Sequence, residues 1–322
     1  MKNTIRYILL AVMMLISASV FAASKKSIIC TTFPEYDWIM NILGKNASSF
    51  NVTLLQDKGT DLHSYQPSVQ DIAKISACDL FVYVGGESDE WVEDALKNAR
   101  NKNMLVINMM EVLGDAVREE EIVEGMQAED EHEHGHGHHH EEEAEYDEHV
   151  WLSLKNASVV TQALSDAVQK LDGKNAAAYK ANTESYVSSL SALDGEFAKA
   201  VSQAKTKTLV FADRFPFRYL TDDYGLRYYA AFAGCSAESE ASFETIIFLA
   251  QKIDEYALNS VLTIEKSNKK IAKTVVSNTK AKKQQILEMD SLQSVTQKEI
   301  KNGKSYLETM RQNLAVLKAA LK

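Results

Sequence analysis

Residues 175–204 read NAAAYKANTESYVSSLSALDGEFAKAVSQA. Within them Tyr179, Thr183, Tyr186, Leu190, Leu193, Phe197 and Val201 recur at steps of three and four, the spacing that aligns side chains on one face of an α-helix. The stretch holds no proline and one interior glycine, Gly195, so little in it interrupts a helical hydrogen-bond ladder. From Asn175 to Ala204 it would run ~45 Å at 1.5 Å per residue. Between two sets of shorter elements such a helix is a stiff spacer, unlike a Gly/Ser linker.

Those two sets flank it on either side. Upstream, the apolar, β-branched runs Ser27–Thr32, Phe50–Leu55, Leu80–Val84 and Leu105–Asn108 alternate with helical patterns at Tyr36–Leu43, Ser68–Ala77 and Ser88–Arg100. Downstream, Thr208–Ala212, Arg227–Ala231, Ser260–Ile264 and Gln285–Met289 read as four more strands, with helical stretches near Phe243–Ile253 and Asn268–Thr279 and a closing helix at Tyr306–Leu321. Strand–helix alternation argues for parallel sheets with crossover helices. The expected fold is therefore α/β: two lobes, each a four-stranded parallel sheet flanked by helices, joined by one long rigid helix. The expected division is a leader at 1–22, an N-terminal lobe at 23–173, the connector at 174–205 and a C-terminal lobe at 206–322.

Lys2 and Arg6, the apolar run Tyr7–Ile16 and the small residues before Ala22 form a secretory signal with a cut expected after Ala22. The run is too short for a transmembrane helix, which needs ~18 apolar residues. No cysteine sits at that cut, so a periplasmic protein without a lipid anchor is expected. Cys30, Cys78 and Cys235 show no C-x-x-C spacing, and buried thiols are expected rather than a disulfide framework.

The chain of 322 residues has 45 acids against 35 Lys plus Arg, a net charge of −10. Fourteen of the acids lie between Glu119 and Glu148, so the remainder carries 31 acids against 35 bases and the acidity belongs to one loop. Basic pairs such as Lys269–Lys270 and Lys282–Lys283 lack interleaved aromatics, which excludes a nucleic-acid surface. The acidic loop contains DEHEHGHGHHHEEEAEYDEH, residues 130–149, with seven of the eight histidines and no lysine or arginine. Imidazoles among carboxylates are a metal-handling composition. Its His132-Glu133-His134-Gly135-His136 formally matches the H-E-x-x-H of zinc proteases, but that motif needs a helix, and two glycines among like charges argue against one.

Open α/β sheets bind ligands at the carboxyl ends of their strands. The residues following each strand include His63, His149, Asp213, Glu265 and Asp290, so ligand-type side chains from both lobes are expected to meet in one cleft. His63 lies outside that stretch and His149 at its very end, apart from the six clustered histidines of 132–140.

The segments LHSYQPSVQDI, DEHVWLS, DDYGL and LEMDSL, with the long connecting helix, resemble the zinc- and manganese-binding components of ABC importers, the ZnuA-like family, over essentially the whole chain after the leader. The resemblance implies a metal held between the lobes, zinc or manganese, and delivery to an ABC permease by a monomer. It places His63 on the family's first ligand, His149 on its second and Asp290 on its acidic ligand. By the same resemblance the acidic histidine loop ahead of the second ligand motif looks like the mark of the zinc branch. Counted back from Tyr224-Gly225-Leu226, the third ligand position falls on Arg214, which cannot ligate. Asp213 is the expected replacement, with Glu238, Glu240, Glu265 and water as the alternatives. Two rival classes stand beside transport: a zinc-dependent hydrolase built on His63 and His149, and a metal-buffering or adhesive surface protein.

Overall fold

The computed structural model describes residues 25–127, 145–236 and 240–322. The leader, the dense histidine tract with its H-E-x-x-H match, and Glu238 lie outside them. The first sheet comprises β1 (Lys26–Cys30), β2 (Phe50–Leu54), β3 (Leu80–Tyr83) and β4 (Leu105–Asn108), in the order β2-β1-β3-β4. The second comprises β5 (Thr208–Phe215), β6 (Arg227–Ala233), β7 (Ser260–Ile264) and β8 (Gln285–Met289), in the order β6-β5-β7-β8. Every pairing is parallel, so the carboxyl ends of each sheet's strands share one edge and their loops gather there.

The spine is a helix at Ala176–Ser202, and all seven periodic residues, Tyr179 through Val201, are buried. Burying side chains the size of Leu190, Leu193 and Phe197 is worth ~1.5–3 kcal/mol each, which docks the helix where its propensity alone would leave it free. Its polar groups fasten it to both lobes. Asn182 donates to the Ile42 carbonyl (2.9 Å) and Tyr186 to Asp37 (3.3 Å), while Asp194 accepts from the Tyr224 hydroxyl (2.8 Å). One apolar cluster runs from Ile28 and Trp38 through Leu190 and Phe197 to Phe211 and Leu314. The spine is thus shared core and not a free tether.

Three details depart from the sequence reading. Thr31 and Thr32 leave β1 because both hydroxyls bond Glu35 (each 3.1 Å to Oε1), and Thr32 forms a capping box with it that opens the helix Phe33–Leu43. An 18-residue helix, Leu154–Leu171, was not assigned from sequence although Leu154, Ala157, Val160, Leu164 and Val168 bury one face. And β5 continues to Phe215, with a register shift against β6 between Phe211 and Arg214. Asp213 and Arg214 therefore sit within a bulged strand end rather than in the loop after it, and such bulges re-aim side chains. Among the described residues no helix is long and apolar enough to cross a membrane.

Candidate metal centre

His63 lies in a single helical turn, Leu62–Ser64, whose preceding Asp61 accepts the His63 backbone N–H at 3.1 Å. His149 ends the DEH sequence just before the turn Val150–Leu152 and is fully buried. That segment is locked to the second lobe: Trp151 Nε1 donates to the Ser291 carbonyl (2.9 Å), Tyr306 donates to the Trp151 carbonyl (2.6 Å) and Tyr219 to the Asp147 carbonyl (2.7 Å). The two imidazoles meet with their Nε2 atoms 3.2 Å apart. Two nitrogens bound to one tetrahedral zinc at ~2.0–2.1 Å would stand about 3.3 Å apart, so the pair already has the edge length of such a site.

The outer ring nitrogen of His149 is bonded to an acid of its own short motif, and that of His63 to a serine hydroxyl beside the next acid of the same motif. Nδ1 of His149 is 2.9 Å from Asp147, which also accepts the His149 N–H at 2.8 Å. Nδ1 of His63 is 2.9 Å from Ser88 Oγ and 3.4 Å from Glu148. Glu148 in turn accepts the Ser88 N–H at 2.7 Å. Gly86 makes this possible: at φ +82°, a Cβ there would fall 2.4 Å from a Glu148 oxygen. Carboxylates behind histidines fix the tautomer and raise ligand basicity. Burial and then the neighbouring His149 hold His63 well below the ordinary histidine range. Burial would lower His149 too, but Asp147, together with Glu148 and Asp61, outweighs it and the group is raised. Of the two imidazoles His149 therefore holds its proton the more firmly, and a metal ion on the pair must displace it.

From the second lobe, the turn after β6 brings Cys235 to this pair. The ligand atoms of His63, His149 and Cys235 all lie within 4.8 Å of one another, the one such group of three or more His, Cys, Asp or Glu among the described residues. Gly234 permits the approach, since a Cβ would sit 2.9 Å from the Phe215 carbonyl and 3.0 Å from His149 Cε1. Cys235 was read from sequence as a buried thiol; it is free and only partly covered, whereas Cys30 and Cys78 are buried.

Asp213, Glu265 and Asp290 are not members of that group. One oxygen of Asp213 accepts the Arg214 N–H (3.0 Å), and the other is buried with no hydrogen-bond partner among the described residues. Asp290 is ion-paired with Lys304 and accepts the Leu292 N–H (2.8 Å). Glu265 accepts from the Ser291 N–H and hydroxyl, both 2.7 Å. Glu240 pairs with Lys270 at 3.0 Å. Arg214 pairs neither with Asp213 nor with Glu240; its guanidinium reaches Asp61 of the other lobe at 2.7 Å. Burial works to raise the Asp61 carboxyl, and Arg214 outweighs it, holding it below the ordinary range. Gln293, with its amide turned to suit both neighbours, donates to Asp61 (3.0 Å) and accepts from His149 Nε2 (2.9 Å). Beside these groups opens a cleft of about 450 Å³ lined by Asp61, Asp213, Arg214, Glu265 and Lys266.

Sequence reasoning named the two histidines but not the roles of Asp61, Ser88, Asp147, Glu148, Cys235 and Gln293. The legible signal was the pair of acids directly before His149 and a glycine directly before Cys235.

The chain matches the family described as the periplasmic zinc-uptake complex component A over residues 28–320. It is 30% identical over 306 residues to a zinc-binding protein, AdcA, of Streptococcus pyogenes, covering 93% of this chain and 56% of that protein. It thus spans about half the length of these streptococcal relatives. With the high-affinity zinc uptake system protein ZnuA of Bacillus subtilis it shares 29% identity over 297 residues, 92% of this chain and 88% of that one. Among solved structures, the Zn(II)-bound ZnuA-like domain of Streptococcus pneumoniae AdcA superposes with a TM-score of 0.70 at 27% identity, covering 92% of this chain and 99% of that domain.

Proposed function

Because the chain belongs to the family of the periplasmic zinc-uptake component A, we propose that it captures zinc as cargo between its two lobes, with His63 and His149 as ligands, and hands the ion to an ABC permease for import. The family comprises metal-transport binding components rather than enzymes, so the hydrolase reading is set aside. The observation that carries the proposal is the facing pair of Nε2 atoms 3.2 Å apart, with the outer nitrogen of His149 bonded to Asp147 and that of His63 to Ser88. Neutral imidazoles held this way suit zinc and its neighbours, while a site for a harder ion such as manganese would be richer in oxygen. Export through a signal cleaved after Ala22, residence in the periplasm and docking on a permease belong to the same proposal.

Zinc calorimetry on His63→Ala and His149→Ala tests it. Each substitution removes one of about four bonds in a preformed site and is expected to abolish tight binding with the fold intact. Binding within about threefold of wild type in both, under ~0.7 kcal/mol, overturns the placement. Co-purification with a membrane permease, or growth failure in zinc-depleted medium on deletion of the gene, tests delivery.

A further inference from the structure

The geometry points to Cys235 as the third ligand of this metal site, binding zinc through its thiolate sulfur and setting the site's preference for zinc over manganese. The assignment rests on the histidine site proposed above and deepens it. Three observations carry it. First, Sγ of Cys235 belongs to the one close group that the described His, Cys, Asp and Glu residues form, with His63 and His149 as its other members, and the Nε2 atoms of those two histidines stand at the edge length of a zinc tetrahedron. Second, the position is built. Gly234 is the residue that lets the turn reach His149, and any side chain there would collide with the Phe215 carbonyl and the imidazole. The turn itself is pinned by the Cys235 N–H donating to Glu120 at 3.2 Å; burial and then the carboxylates of Glu120, Asp147 and Glu148 hold the metal-free thiol well above its ordinary range, so it is the metal that must displace the proton. Third, the competing carboxylates lie outside that group: Asp290 is engaged by Lys304 and Glu265 by Ser291, and Asp213, although one of its oxygens is unpartnered, is not among its members.

The chemistry and the topology agree. Both histidines come from the first lobe, so a metal on them alone would bind that lobe only; Cys235 follows β6 and brings a ligand from the second. Soft thiolate donors suit zinc, whereas manganese favours carboxylate, carbonyl and water. On metal binding the Zn–S bond forms as the thiol proton is released to solvent. Two nitrogens and one sulfur leave one tetrahedral position, for water or for Asp290 once Lys304 releases it. Arginine at position 214 then costs the site nothing, because the ligand that position supplies in the family is delivered from the neighbouring strand.

Cobalt(II) substitution reads the sulfur directly. The reduced, metal-free protein loaded with Co2+ should show near-ultraviolet sulfur-to-cobalt charge-transfer absorption together with intense tetrahedral ligand-field bands. In Cys235→Ser the charge-transfer band should vanish. Zinc affinity should fall by more than the roughly 10–100-fold that removing an outer hydrogen-bond partner costs. Cys235→Asp should narrow the zinc-over-manganese ratio in competition titrations. The wild-type spectrum decides even if a variant fails to fold. If wild type binds cobalt in a His63-dependent manner without the band, or Cys235→Ser binds zinc within about threefold of wild type, the thiolate is overturned and the histidine site stands. A band that survives His63→Ala overturns both.

Discussion

The two lobes share one sheet topology and use it in opposite ways. Their strand orders correspond position for position, and both present loops at the carboxyl edge facing the cleft. In the first lobe those loops deliver two imidazoles whose outer nitrogens are held by Asp147, Glu148 and Ser88. In the second, two of the acids they deliver are already engaged, Asp290 by Lys304 and Glu265 by Ser291, Asp213 keeps one oxygen unpartnered, and Arg214 reaches out to Asp61. The lesson is that topology places a side chain at the cleft, while its local partners decide whether it can ligate. A preorganised nitrogen pair in one lobe against a quenched acid set in the other predicts that disturbing the first lobe's backing groups hurts zinc binding most, and disturbing the second lobe's ion pairs least.

Asp147→Asn should have the largest effect of these. The buried carboxylate holds His149 by both its ring N–H and its backbone N–H (2.9 and 2.8 Å). An amide in its place supports the imidazole more weakly and can present the wrong tautomer. Loss of such a backing group typically costs 10–100-fold in metal affinity, and calorimetry should find a change in that range. The matching substitution in the other lobe, Glu265→Gln, should change affinity by less than about threefold. Equal losses would break the contrast between the lobes.

Most of this fold could be read from the chain. The spine's buried residues are the seven named from periodicity, because a three-and-four repeat maps directly onto one helix face. The eight strands were placed from short β-branched runs. Their ends were not, since where β5 and β6 stop depends on pairing and on a bulge between Phe211 and Arg214, and pairing is not local information. The site divides the same way. His63 and His149 stood out by residue type and position. Cys235 did not, because a lone cysteine between small residues reads as a core thiol until the β6 turn is folded against His149. Arg214 was seen to be unable to ligate, but its partner, Asp61, lies 153 residues away in the other lobe, and no pattern in the sequence links the two.

Acidity should act next in size, and through the first lobe. His149 is raised above its ordinary value by Asp147, while His63 is lowered by burial and by His149. His149 therefore retains its proton to a higher pH than a free histidine would, and zinc must displace it together with the thiol proton of Cys235 where that sulfur ligates. Zinc affinity should climb with pH by up to about tenfold per pH unit for each displaced proton. In His149→Asn the slope should be shallower by one proton. A titration in buffers of different ionisation enthalpy counts the protons released, and an affinity flat between pH 6 and 7.5 would contradict displacement of a proton from His149.

The smallest effect should come from the clasp between the lobes. Arg214 and Asp61 meet at 2.7 Å with about a fifth of each side chain exposed, and a glutamine at 214 is an uncharged donor of similar reach. Asp61 also accepts the His63 N–H and the Gln293 amide, so the turn bearing His63 keeps two of its bonds when the guanidinium is gone. Arg214→Gln should consequently leave zinc affinity within about fivefold of wild type. Because the pair spans the cleft mouth, the change should fall on release: stopped-flow chelation should show zinc leaving faster, with the capture rate little altered, and raising salt should speed release in wild type more than in the variant. A collapse of affinity in Arg214→Gln would instead mean that the clasp positions His63, and the second lobe would then contribute to preorganisation as strongly as the first.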